Sequence, residues 1–405
     1  MNVKKLLFYL TITSIATEAL QFNIGFDFKY FYLVILFGSF TLILVDNFHY
    51  SKGLLFFHVY ILFSGLITIV FGYNKMVYFV GQLFFLILIP TFYNSFFKLF
   101  DLKKVVAFYC KLSVVLAVIG LIKLPHDISN GSSLHSILIE PAHYSTLVLP
   151  ALFITFKSDE FPRWYYMVIL ISIIFSGSSL GYLGIGLGLL LLPNQITLGK
   201  MFSTLVLVIT LGILTYSYFT PFRIRLDDTI ASVSDGDLSR ANLSTYALIS
   251  NLYVSLESFK ASPIFGNGIG SHLTSRSMYL TKVEGIEEFE KMGMDHLNAK
   301  DAASLFLRLV SETGVIGLFA VMYFIYRNLI RNTDLNNDYG KIVCKAILIY
   351  FFCKLLREGH YFSPEMYFFV FLFVYNRKAS LGANNLNMEG SYKPFRNRND
   401  RRIRA

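Results

Sequence analysis

Glu140 is the first residue that could do chemistry. It stands in the run LHSILIEPAHYST, with His143 and Tyr144 within the next turn. An ionisable group inside an apolar run is costly and marks a candidate site. Pro141 lacks an N–H, so a helix either breaks or starts beside it. A helix start lining a cavity offers a hydrated pocket, whereas the same carboxylate at an interface is merely solvated. Arg308 and Glu312 lie four residues apart in a second apolar run and share one helical face. They can neutralise one another while packing two helices, or the arginine can orient a phosphate. Arg357, Glu358 and His360 crowd a short turn between two further apolar runs. A short turn needs polar residues, so these three read equally as turn formers and as ligands.

The longest polar stretch, 221–312, adds Arg223, Arg225 and Arg240. A guanidinium stays charged, and its planar fork grips phosphate through two bonds at once. Several arginines just above a bilayer suit a lipid-linked diphosphate; taken singly, each reads as a solvated loop residue. The segment GNGIG lacks the Lys-Ser/Thr of a phosphate-binding loop and the strand–helix setting of a dinucleotide site, so it reads as a turn. His296 has no partner at metal spacing. Asp235-Gly-Asp237 is the one candidate for a paired-carboxylate metal site, and no metal or other cofactor is expected. The three cysteines, Cys110, Cys344 and Cys353, show neither metal-ligand spacing nor a disulfide framework.

These residues must be held by a bilayer-embedded scaffold. Of the 405 residues, 55% are hydrophobic and only 15% charged, and the mean hydropathy is +0.55. Soluble domains carry about 25% charge. Apolar runs of this length cross about 30 Å of hydrocarbon as helices. The fold class is therefore an all-α polytopic membrane protein. Candidate spans are 6–22, 30–46, 53–72, 77–97, 104–124, 136–156, 164–178, 179–193, 201–219, 304–326, 342–356 and 361–376, about twelve by hydropathy. The first resembles a signal peptide without a clean cleavage site and reads as a retained anchor. Gly177/Gly181 and Gly184/Gly188 have the small-x-x-x-small spacing of closely packed helices, against a polar contact by Ser178 or Ser179. The stretch 243–259 has an amphipathic helical pattern, suited to a membrane surface or to a cap on the bundle.

The net charge of +10 does not call for nucleic acid. Lys4/Lys5, Lys52, Lys98/Lys103/Lys104, Lys157/Arg163, Lys200 and Arg327/Arg331/Lys341 fall on one side of the spans. The other side holds only Lys29, Lys75, Lys123 and Arg357 in its short loops. That asymmetry puts both termini in the cytoplasm and the large loop outside it. The organisation expected is a helix bundle over 1–220, a large outer loop over 221–302, further spans over 303–377 and a basic cytoplasmic tail over 378–405. That tail reads as disordered, near acidic lipid headgroups.

EPAHYS, one large outer loop, a helix ending SPIFGNGIGSH and then SLFLRLVSETGVIGL together resemble the O-antigen polymerase and ligase superfamily of bacterial inner membranes. The ligase branch carries His-Asn where this chain has Ala303-Ser304, so the resemblance favours the Wzy-type polymerase. It implies glycosyl transfer at the periplasmic face between two undecaprenyl-diphosphate-linked oligosaccharides, among membrane lipids and beside a chain-length regulator. Under it, Glu140 is the base that takes the acceptor hydroxyl proton. Arg240, with Arg308 and Arg357, steadies the departing diphosphate, and Arg223 and Arg225 stand in reserve. His143, Tyr144, Glu312 and His360 complete the substrate contacts. The rival readings are the ligase itself, a lipid-linked sugar flippase, and a scaffold for other assembly proteins. A flippase would show two related halves with broken helices and midplane charges, which this sequence lacks.

Overall fold

The computed structural model describes residues 3–23, 27–130, 132–193, 220–235, 238–239, 241–283, 285–294, 296–330 and 338–391, with isolated positions between 199 and 217. The expected span 201–219 falls largely outside the described residues, as does the tail beyond 391.

Long apolar runs become long helices wherever no proline or polar cluster interrupts them. The first is α1 (Val3–Ser14), then α2 (Tyr30–Leu44), α3 (Lys52–Val70), α4 (Met76–Leu99), α5 (Leu102–Ser129), α6 (Pro141–Lys157), α7 (Arg163–Ser176) and α8 (Ser179–Leu191). After the largely undescribed segment come α9 (Thr220–Asp235), α10 (Leu243–Ala261), α11 (His272–Tyr279) and α12 (Ile286–Lys291). The last three are α13 (Leu305–Asn328), α14 (Asp338–Leu356) and α15 (Met366–Ser391). Four of these, α3, α4, α5 and α13, are long and apolar enough to cross a membrane, and α2, α7 and α8 are shorter apolar helices. Phe40, Phe56, Phe63, Val70 and Phe71 stand exposed on or at the ends of α2 and α3, as a hydrocarbon-facing surface requires.

α6 is the hub, packed against α5, α7, α8 and α14; every side chain from Tyr144 to Thr155 is buried. α8 reaches it through Gly181, Gly184 and Gly188, whose faces meet Ser145, Leu149 and Phe153. The Gly184/Gly188 spacing, with Gly181, thus works as close packing against α6, whereas Gly177 is the left-handed C-cap of α7. Ser178 caps α8 by accepting the Gly181 N–H at 3.3 Å.

The structure departs from the sequence expectation at several places. A small antiparallel hairpin, β1 (Gln21–Asn23) with β2 (Asp27–Lys29), adds two strands to an otherwise helical chain, with Phe22 opposite Phe28. The first helix ends at Ser14 because the chain turns there to deliver Glu18 to a buried ion pair with Lys29 at 3.4 Å. α6 starts at Pro141, five residues later than expected, with Glu140 extended as its N-cap. Proline at the first helical position disfavours a helical residue before it, which fixes that boundary. Finally, α15 continues to Ser391, so the first part of the basic tail is helical.

Candidate functional site

Alternation of the helices brings the ends of α1, α3, α5 and α14 together with the starts of α2, α4, α6, α13 and α15. Two buried ion clusters sit at that end. The first is built on α6, where His143 and Thr146 follow the N-cap Glu140 at three-residue steps and so share its face. His143 Nδ1 lies 2.5 Å from Glu18 Oε2. The Thr146 hydroxyl donates to Glu358 Oε1 at 2.7 Å. Lys354, 1% exposed, joins Glu358 at 2.6 Å and Glu365 at 3.0 Å. Tyr350 donates to Glu365 at 3.2 Å. Signs alternate from Lys29 through Glu18, His143, Glu358 and Lys354 to Glu365. Burial pushes the Glu358 carboxyl up, but the charges of Lys354 and His143 with two hydrogen bonds outweigh it and hold it below its ordinary value.

The second cluster is centred on Arg308, which is 4% exposed. Its Nε donates to Glu312 at 3.2 Å, one terminal nitrogen to the Gly359 carbonyl at 3.0 Å and the other to Gln82 at 3.0 Å. The guanidinium also lies 4.0 Å from the Tyr361 ring centre. Glu312 additionally accepts the His272 backbone N–H at 3.3 Å. His272 is fully buried, its ring between Asn251 at 2.9 Å and Ser311 at 3.1 Å. Burial, then the charges of Arg308 and Arg276, push its pKa down to about 3, so it is neutral.

Besides the His272 contacts, the PIFGNGIGSH turn anchors this cluster through its backbone. α13 is interrupted at Gly314 (φ 58°, ψ −155°). Into that break Asn267 N donates to Ser311 O and Gly268 N to Glu312 O, both at 2.9 Å. Val315 N returns a bond to Pro263 O at 2.9 Å and Ile316 N one to Ile264 O at 3.2 Å. The turn therefore takes up the carbonyls and N–H groups that the break leaves open.

Next to Arg308, Asp301 and His360 form a pair at 2.9 Å. The Asp301 carboxylate also accepts from Ala303 N at 3.1 Å and Asn298 Nδ2 at 3.3 Å. Burial raises its pKa, but the His360 bond and charge, the Ala303 N–H and the Arg308 charge outweigh it and hold it well below the usual carboxylate range. Asn298, Ala302, Ala303 and Glu358 all take left-handed backbone conformations (φ 53°, 59°, 56° and 62°). For the alanines and the glutamate that costs on the order of 1–3 kcal/mol each, so surrounding contacts must impose it.

Of the residues singled out from sequence, Glu140 is exposed at the start of α6, Arg357 and His360 are half-exposed, and Arg223 is exposed on α9. Tyr144 is buried, donating to Ser172 Oγ at 2.6 Å, and His143 is committed to Glu18. Arg308 and Glu312 form the expected i,i+4 pair and are internal. Arg240 and the side chain of Arg225 lie outside the described residues. Sequence reasoning missed Glu18, Lys354 and Glu365 as cluster members, although each was visible as an ionisable group in or beside an apolar run. Among the described residues no group of three or more His, Cys, Asp or Glu is placed to hold a metal ion. No protein-family model matches the chain, and no curated protein matches it.

Proposed function

We propose that this chain is a glycosyltransferase of the bacterial inner membrane that joins undecaprenyl-diphosphate-linked oligosaccharide repeat units at the periplasmic face, as an O-antigen polymerase does. In this reading the ends of the helices that carry both ion clusters face the periplasm, about twelve spans cross the bilayer and both termini are cytoplasmic. The acceptor hydroxyl oxygen bonds to the anomeric carbon of the donor chain. The bond from that carbon to the diphosphate breaks, and its electron pair leaves with the diphosphate. The hydroxyl proton passes to a base, for which Glu140 is the sequence candidate. Arg240 and Arg357 are the candidate partners of the leaving group, with Arg223 and Arg225 beside them. Arg308 and Glu312 hold the frame from inside, as do His143 and Tyr144.

The observation that carries this reading is the contrast at one end of the bundle. Internally neutralised ion clusters leave accessible Glu140, at the start of the helix whose Thr146 bonds Glu358, and Arg357 and His360, on the turn that carries Glu358. That arrangement suits a reaction needing a base and a cation beside lipid. Deleting the gene tests it: cells should then attach single repeat units to the lipid core, because capping of the core survives. Accumulation of long lipid-linked polymer with a bare core would point to the ligase instead.

A further inference from the structure

His360 follows a turn built with unusual exactness of fit. A methyl group on Gly359 would collide with the Asp301 carbonyl, so only glycine permits this approach. The Gly359 carbonyl is itself fixed by Arg308 at 3.0 Å. Glu358, left-handed at φ 62°, turns its carboxylate inward to Lys354 and Thr146. The residue on each side of the His360 backbone is thus pinned, since Tyr361 lies under Arg308. The His360 side chain is 43% exposed, whereas the Asp301 carboxylate that holds its Nε2 is 4% exposed. In its neutral form, the one that can accept a proton, an imidazole held at one nitrogen by a buried carboxylate keeps its single proton on that nitrogen. Its other nitrogen, Nδ1, which has no hydrogen-bond partner among the described residues, then offers an acceptor lone pair in a fixed direction.

We propose that His360, oriented by Asp301, is the catalytic base that takes the proton of the attacking acceptor hydroxyl. This rests on the glycosyl-transfer reading and moves the base from Glu140 to the histidine. As the new bond to the anomeric carbon forms and the diphosphate leaves with the old bonding pair, the hydroxyl proton passes to Nδ1. The resulting imidazolium faces the Asp301 carboxylate at 2.9 Å, and that attraction stabilises the transition state. Asp301, Gly359 and Arg308 are positioning residues, because they act through His360. Glu140, on the adjoining helix start and with no carboxylate or cation fixing it among the described residues, is left to contact the sugar.

The test uses purified full-length protein in vesicles supplied with lipid-linked repeat units. His360→Ala should slow transfer by roughly a hundredfold or more. The variant should elute like wild type and melt somewhat lower, because the Asp301 carboxylate loses one partner but keeps its bonds to Ala303 N and Asn298 Nδ2. Added imidazole should restore part of the rate, while pyrazole, equal in size and far less basic, should not. Asp301→Asn should lower kcat by roughly ten- to hundredfold with little change in KM. In the His360→Ala background it should cost nothing further, because a residue that acts through His360 has nothing left to orient. His126→Ala, an exposed histidine on α5, should be silent. A His360→Ala protein that transfers at the wild-type rate, rescue by pyrazole as good as by imidazole, or full additivity of the two variants would each overturn the base assignment. Inactive wild-type protein would instead remove the glycosyl-transfer reading, and this proposal with it.

Discussion

Gly266 and Gly314 meet backbone to backbone: a methyl on Gly314 would stand 2.7 Å from the Gly266 nitrogen and 2.6 Å from the Pro263 carbonyl. Both glycines are left-handed, at φ 68° and 58°. A methyl on Gly266 would in turn collide with the Glu312 carbonyl carbon and the Thr313 nitrogen. Neither glycine can therefore acquire a side chain without moving the opposing main chain, and the α10–α11 turn is locked into the break of α13.

Gly266→Ala and Gly314→Ala should therefore each destabilise the protein by on the order of 2–4 kcal/mol, from strain and overlap together. Gly53→Ala and Gly81→Ala are the controls, because nothing lies within 4 Å of an added carbon at either position. Thermal unfolding in detergent should show lower midpoints for the first pair only. Equal midpoints for all four would mean that the interlock does not hold.

Lys354 is the sole cation bonded to both Glu358 and Glu365 among the described residues. Lys354→Met strands two buried carboxylates and should cost about 3–5 kcal/mol. Glu365→Gln keeps the amide oxygen for Lys354 and Tyr350 and should cost less, about 1–2 kcal/mol. Denaturation of the two variants side by side gives the order; a Lys354→Met protein as stable as wild type would contradict the pairing.

His272 gives a pH signature. Its folded pKa, about 3, lies below its ordinary 6.5. Between those values the unfolded chain binds a proton that the folded protein refuses, so stability rises with pH through the window and is fully present above it. Lowering the pH from about 7 to 5 should cost up to about 2 kcal/mol from this one group. His272→Asn should flatten that slope, whatever its effect at neutral pH. An unchanged slope would mean that His272 takes up its proton without unfolding.

Much of the scaffold was legible because apolar run length and proline placement act locally. The bounds of α3 and α4 follow from run length, whereas Pro141 marks a break or a start without deciding which, so the expected span begins at 136 and α6 at Pro141. The turn at Gly266–Gly270 was legible from its glycines. The break at Gly314 was not, since a glycine within the apolar run SETGVIGL reads as helix until another segment supplies partners for the freed backbone groups. The Asp301–His360 pair was invisible for the same kind of reason: its two turns meet only after α13 and α14 pack. Lys354 and Glu18 lie as charges in apolar surroundings but escape the sequence reading, and their partners are set by tertiary docking and not by spacing. The hairpin at 21–29 escaped because three-residue strands carry almost no periodic signal.

Orientation is open to a direct check. Reporters fused after Ser234 and Met292 should be active only outside the cytoplasm, and those fused after Asp101 and Asp159 only inside it. An active cytoplasmic reporter at Ser234 would put the ion clusters on the wrong face for a periplasmic reaction.

Under the proposed function, this chain joins lipid-linked repeat units without a second enzyme. Purified protein reconstituted in vesicles, given a single defined undecaprenyl-diphosphate-linked repeat unit, should yield a ladder of two, three and more units. One undecaprenyl diphosphate should be released for each new linkage. A preparation of folded protein that binds the substrate yet releases no undecaprenyl diphosphate and makes no dimeric unit would contradict the account.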